Sequence, residues 1–168
     1  MTRLNVNGQS FDVDVKAHEI LSDVLRNQLG LIGVKVSCAE GECGSCTILV
    51  DGVPATACLM LGRQGERHEI TTIEGIGTHD ELHPIQEAFV EEQGFQCGFC
   101  TPGFIMMAKA FLDENPNPTE EEASMAMSGN ICRCGAHPYI VKSVLNAAER
   151  MQGRHESKRT TGSTGASA

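Results

Sequence analysis

Apolar and polar residues alternate over the first fifteen positions. Leu4 and Val6, then Phe11, Val13 and Val15, recur at the period of two that turns one face of a strand inward. Asn7-Gly8 lies between the two runs and suits a two-residue turn, so residues 2–15 predict a hairpin. The period then changes. Ile20, Leu21, Val24, Leu25 and Leu29 share one face at helical spacing, which predicts an amphipathic helix over 18–29 stopped by Gly30. Residues 47–50 and 53–58 read as a second hairpin about Asp51-Gly52, and residues 68–73 as a last strand. From Leu82 onward the pattern is helical. Pro84 fits a first turn, and Ile85, Ala88 and Phe89 form the apolar face of a helix reaching about Glu92. Thr101-Pro102 reads as the N-cap and first residue of a helix through Phe104, Ile105, Ala108, Phe111 and Leu112, broken by Asn115-Pro116-Asn117-Pro118. Thr119 with Glu122 makes a capping box for a third helix, ended by Gly129-Asn130. Pro138 opens a fourth through Ile140, Val141, Val144, Leu145 and Ala148.

Eight cysteines punctuate these elements. Cys38, Cys43, Cys46 and Cys58 follow the spacing C-x4-C-x2-C and then a fourth cysteine across one hairpin, the ligand arrangement of a plant-type 2Fe–2S cluster. The small residues of Ser37–Ser45 let a loop wrap its thiolates and backbone N–H groups around an inorganic core. Two strands, a helix and a cysteine loop point to a β-grasp ferredoxin-like domain over residues 1–77. Cys97 and Cys100 lie between the first and second helices of the remainder, and Cys132 and Cys134 between the third and fourth. In an antiparallel four-helix bundle those two loops share one end, so residues 78–152 predict a small helical domain with a second four-cysteine site. The fold class is therefore α+β. Residues 153–168 form a polar tail with no apolar residue larger than Ala beyond Gly153, which is either disordered or laid on a partner.

Composition favours metal. Aromatics make up only 4% and Trp is absent, so a small core gains order from bound metal. The chain shows no export signal, which places it in the cytoplasm and argues against four disulfides. C-x2-C and C-x-C pairs are also too close in sequence to bridge comfortably. Zinc competes for either set, more strongly for the second, because the first does not split into paired knuckles. The formal net charge of −9 excludes a nucleic-acid partner, whose phosphates need Lys and Arg. No apolar run of membrane-spanning length exists.

Three motifs in order, Cys38-x4-Cys43-x2-Cys46-x11-Cys58, then Gln96-Cys97-Gly98-Phe99-Cys100-Thr101-Pro102-Gly103, then Gly129-Asn130-Ile131-Cys132-Arg133-Cys134, resemble the iron–sulfur subunit of the molybdenum hydroxylases, the xanthine dehydrogenase, aldehyde oxidoreductase and carbon monoxide dehydrogenase family. The likeness spans residues 2–152. It implies 2Fe–2S clusters at both cysteine sets, a large partner subunit carrying molybdopterin, and an FAD-binding subunit or other electron acceptor. It further implies that Gln96 and Cys134 approach the pterin, and that the chain binds no substrate and holds no catalytic residue. Electrons would run from molybdenum to the helical cluster, then to the N-terminal one, then to FAD. Many family members continue the last motif as Cys-Thr-Gly-Tyr, whereas this chain reads Cys134-Gly135-Ala136-His137-Pro138-Tyr139. That variant resembles the branches acting on aldehydes or N-heteroaromatics.

The remaining candidates carry less. His137 follows a filled cysteine site and reads as a capping or surface residue. His68, His79 and His83 are scattered and read as surface residues. Met106, Met107, Met125 and Met127 read as core or interface packing, and Glu120-Glu121-Glu122 as an acidic helix start. Arg133, between two ligands, reads equally as a cation that raises the cluster potential or as an interface contact. The alternative function is a free-standing two-cluster carrier. Phe95, Phe99, Pro102 and Ile105 around the second site instead favour burial under a partner.

Overall fold

The computed structural model describes residues 1–161, with side chains described to Gly153. The expectation for the tail beyond Thr161 lies outside the described residues. Five strands form one sheet: β1 (Thr2–Val6), β2 (Gln9–Val13), β3 (Thr47–Val50), β4 (Val53–Thr56) and β5 (Glu69–Thr71), in the order β2-β1-β5-β3-β4. Both predicted hairpins are present, with Thr2 opposite Val13 and Thr47 opposite Thr56. Their turns need left-handed backbone at both central positions, and Asn7-Gly8 (φ 54° and 74°) and Asp51-Gly52 (φ 51° and 83°) supply it. The chain's first strand lies inside the sheet, antiparallel to β2 and parallel to β5.

Helix α1 (Leu21–Asp23) runs on as a wider π-type turn over Val24–Gln28, closed where Leu29 N–H donates to the Val24 carbonyl at 3.2 Å. It starts later than its apolar spacing predicts. Ile20 is extended and bridges to Leu61, and Leu21 N–H donates to the Met60 carbonyl, so residues 18–20 are committed elsewhere. Leu21, Val24 and Leu25 are fully buried against Leu4, Val6, Ile48 and Ile70, forming the first core. Each such side chain contributes about 1.5–3 kcal/mol by leaving water.

Helices α2 (Pro84–Glu91), α3 (Thr101–Glu114), α4 (Glu120–Met127) and α5 (His137–Thr161) enclose a second core of Ile85, Phe89, Phe104, Leu112, Met127 and Ile140. The capping box at Thr119 and Glu122 is formed. His83 is a structural residue rather than a surface one: its ring accepts from Ile85 N–H at 3.2 Å and caps α2. His68 bonds Asp51 at 2.6 Å, while His79 is fully exposed. Met106 and Met127 are buried, but Met125 is exposed. Helix α5 passes through Gly153 to Thr161, so the backbone expected to become tail continues as helix. Arg150 ties α5 to α2 through ion pairs with Glu87 and Glu91.

The two cores meet along β3. Ile48 packs into the first core, while Leu49, on the opposite face, is buried with Met106 and Ala110 of α3. A strand covered on both faces explains the unbroken apolar run Ile48-Leu49-Val50.

Candidate metal centres

The first site is a loop that repeatedly turns left-handed. Ala39, Gly41 and Gly44 have φ of 56°, 81° and 67°, which curls the backbone and aims its N–H groups inward. The Cys38 sulfur accepts from Glu40 N–H at 3.4 Å. That bond, with help from Cys43 N–H and the Cys43 thiol, lowers the Cys38 thiol to about 7. Cys46 and Cys58 are buried behind the loop. Burial pushes the Cys46 thiol up to about 11, and the neighbouring Cys58 thiol adds to the rise. Cys58 sits in a 3-10 turn (Ala57–Leu59), not at a strand end as its pattern predicts. The ladder closes one residue earlier, where Ala57 N–H donates to the Cys46 carbonyl at 3.2 Å.

The second site joins two loops at one end of the helices. Cys97 is exposed, and its thiol is lowered by Phe99 N–H and then by the Cys134 thiol. Cys100 is pushed up to about 12, by burial first and by the adjacent Cys132 second. Cys100 itself is the N-cap of α3, because Phe104 N–H donates to its carbonyl at 3.2 Å. Thr101 is therefore the first helical residue rather than the cap, and its buried hydroxyl has no hydrogen-bond partner among the described residues.

In both sites the thiols fall into two pairs: Cys38 with Cys43 and Cys46 with Cys58, then Cys97 with Cys134 and Cys100 with Cys132. All eight are free thiols. Among the described residues no three His, Cys, Asp or Glu side chains converge as the ligands of a single ion would. Two thiolate pairs per site are the donor set a two-iron core takes, one pair for each iron. Each site also has one outer and one inner pair: Cys46 and Cys58 are both buried in the first, while in the second Cys132 is buried and Cys100 half-buried. In the metal-free chain Cys38 is expected to alkylate well before Cys46, its rate rising through about pH 7 as the thiolate forms. Cys46 stays inert until far higher pH; mass spectrometry after timed iodoacetamide treatment reads the order.

Gln96 is exposed beside Cys97, and Arg133 is exposed between Cys132 and Cys134. Phe95 and Phe99 are 38% and 45% exposed, whereas Ile105 is buried, so only part of the apolar collar expected around the second site faces outward. Phe95, Pro102 and Ile105, with Val90 and Gly98, line an open cavity of about 320 Å³.

The two sites are joined. Ile131 N–H donates to the Cys43 carbonyl at 3.0 Å, and the buried Asn130 side chain donates to the Gly44 carbonyl at 2.9 Å. The sequence reading takes Asn130 as a helix end and part of the third motif, Gly44 as a small residue of the first loop and Gly103 as part of the second motif, and it joins none of them to another. One signal was available: Gly103 sits in the first turn of α3 and packs against the Gly44 carbonyl with no room for a Cβ. A glycine inside a helix costs about 1 kcal/mol relative to alanine and marks such close approach.

A 2Fe-2S iron-sulfur cluster binding domain matches residues 4–69, and a [2Fe-2S] binding domain matches residues 72–145. The nicotinate dehydrogenase small FeS subunit of Eubacterium barkeri is 45% identical over 147 residues, covering 88% of this chain and 94% of that one. The structure of quinoline 2-oxidoreductase from Pseudomonas putida 86 superposes with a TM-score of 0.86 at 38% identity, covering 90% of this chain and 94% of that chain. The aldehyde oxidoreductase of Desulfovibrio desulfuricans superposes at 0.87 with 44% identity over 90% of this chain, which corresponds to 17% of that longer polypeptide. The two cysteine sites, their order and these likenesses agree: the chain belongs to the iron–sulfur small-subunit family of the molybdenum hydroxylases.

Proposed function

We propose that the chain is the electron-transfer subunit of a molybdopterin-dependent hydroxylase complex, taking electrons from a large molybdenum subunit and delivering them to FAD or another acceptor. The clusters, when bound, supply one-electron redox chemistry; the chain's own residues hold, insulate and connect them. Cys38, Cys43, Cys46 and Cys58 are the proposed ligands in an N-terminal domain over 1–77. Cys97, Cys100, Cys132 and Cys134 are those in a helical domain over 78–152, which we read as a small four-helix bundle. The observation carrying the reading is the pairing of thiols at two sites whose loops share a backbone hydrogen bond between Cys43 and Ile131.

Exposed Gln96 and half-exposed Cys134 lie where a pterin held by the partner would meet the second site, and the glutamine amide both donates and accepts. The exposed rings of Phe95 and Phe99 flank the same loop and suit burial under that partner. The substrate of the complex is an aldehyde or an N-heteroaromatic, the classes named by its relatives. No described helix is long and apolar enough to cross a membrane, and we place the complex in the cytoplasm. Electron paramagnetic resonance of the dithionite-reduced protein is expected to give two distinct 2Fe–2S signals, and affinity purification to recover a larger molybdenum-containing chain. One signal, or none, sinks the two-cluster reading. Two signals from a chain isolated alone and fully competent in electron transfer would instead make it a free-standing carrier.

A further inference from the structure

Asn130 is a buried polar side chain, 5% exposed, at the seam between the two cysteine sites. Its bland reading is a helix end, but its side chain does no work there. Asn130 closes α4 through its backbone, donating its own N–H to the Met127 carbonyl at 3.2 Å, and it lacks the left-handed φ that favours asparagine at helix ends. Its amide instead reaches the Gly44 carbonyl, which also accepts from Thr47 N–H at 3.2 Å and the Thr47 hydroxyl at 2.7 Å.

The surroundings are shaped for that contact. A Cβ on Gly44 would lie 2.5 Å from the Asn130 amide nitrogen, and one on Gly103 would overlap the Gly44 carbonyl. Both glycines thus leave room for the joint. The neighbouring Ile131 N–H bonds the Cys43 carbonyl, so one side-chain bond and one backbone bond clamp consecutive residues of the two loops. A short connection between a proposed ligand of the first site and one of the second runs through this clamp. From Cys43 it crosses a single hydrogen bond to Ile131, whose next residue is Cys132.

We propose that Asn130 is a positioning residue that holds the two cysteine loops in register, keeping Cys43 and Cys132 joined through the Cys43–Ile131 hydrogen bond and so fixing the relation between the two clusters. This rests on the two-cluster reading above. The test compares the complex with Asn130→Leu, which keeps the branched four-atom side chain and removes the donor, and with Asn130→Gln, which keeps the amide on a longer arm. Two measurements are made: the magnetic interaction between the clusters in the fully reduced state, and hydrogen exchange at the Ile131 amide.

In Asn130→Leu, iron content and both 2Fe–2S signals are expected to persist, the interaction splitting to be lost, and Ile131 to exchange about tenfold faster. Asn130→Gln is expected to recover part of both effects. Wild-type splitting and wild-type Ile131 protection in Asn130→Leu would overturn the proposal. If Asn130→Leu fails to load its clusters, exchange in the metal-free chains decides, with unchanged Ile131 protection again overturning it. Absence of two 2Fe–2S signals in the wild-type complex would be a failure of the functional reading rather than of the clamp.

Discussion

Cys132→Ala is expected to remove the second cluster and leave the first in place. Cys132 is the buried member of the inner pair with Cys100, so its loss strips one iron of a thiolate where water cannot readily substitute. Iron content should fall to about half, because each four-cysteine site holds one two-iron core. One of the two resonance signals should vanish while the other keeps its shape. In the complex, substrate should still reduce the partner's molybdenum centre, yet turnover with the acceptor should be lost. Retention of both signals would show that Cys132 is no ligand. The matching change in the first site, Cys46→Ala, should remove the other signal.

Phe104→Ala should cost about 3–5 kcal/mol of stability, the range for deleting a large buried ring. Phe104 is fully buried in the second core, and its ring meets His137 edge-on with centroids 5.3 Å apart. Through these contacts it braces both halves of the second site. Its backbone closes the turn that begins at Cys100, and His137 starts the helix that follows Cys134. Denaturant titration should show an earlier midpoint, and the second cluster should be lost before the first as urea rises. A simultaneous loss would mean that the two cores do not unfold separately.

Much of this architecture is legible in the sequence because local rules and tertiary demands agree. The hairpin turns at Asn7-Gly8 and Asp51-Gly52, the capping box at Thr119 and the cysteine spacings each follow from short-range chemistry that nothing distant overrides. Where distant partners intervene, the pattern misleads by a few residues. The Ile20–Leu61 bridge delays α1, the Ala57–Cys46 bond ends β4 before Cys58, and Thr72 N–H leaves the last strand for the Asn7 side chain at 2.9 Å. His83 was hidden for another reason: histidine is an uncommon cap, so it falls outside the usual capping residues. The Asn130–Gly44 contact lies 86 residues apart in the chain, and no periodicity reports on it.

The interior position of β1 bears on how the protein is made. β1 leaves the ribosome well before β5, more than sixty residues later in the chain, which covers its second edge. The whole first cysteine loop is synthesised inside that interval. Until residue 71 emerges the sheet keeps an open edge, and the thiols of Cys38 to Cys58 lie in an unfinished unit. Such late, long-range pairing slows folding and exposes unpaired strand edges to aggregation. The sheet that backs the first cysteine loop is therefore complete only once β5 has been translated.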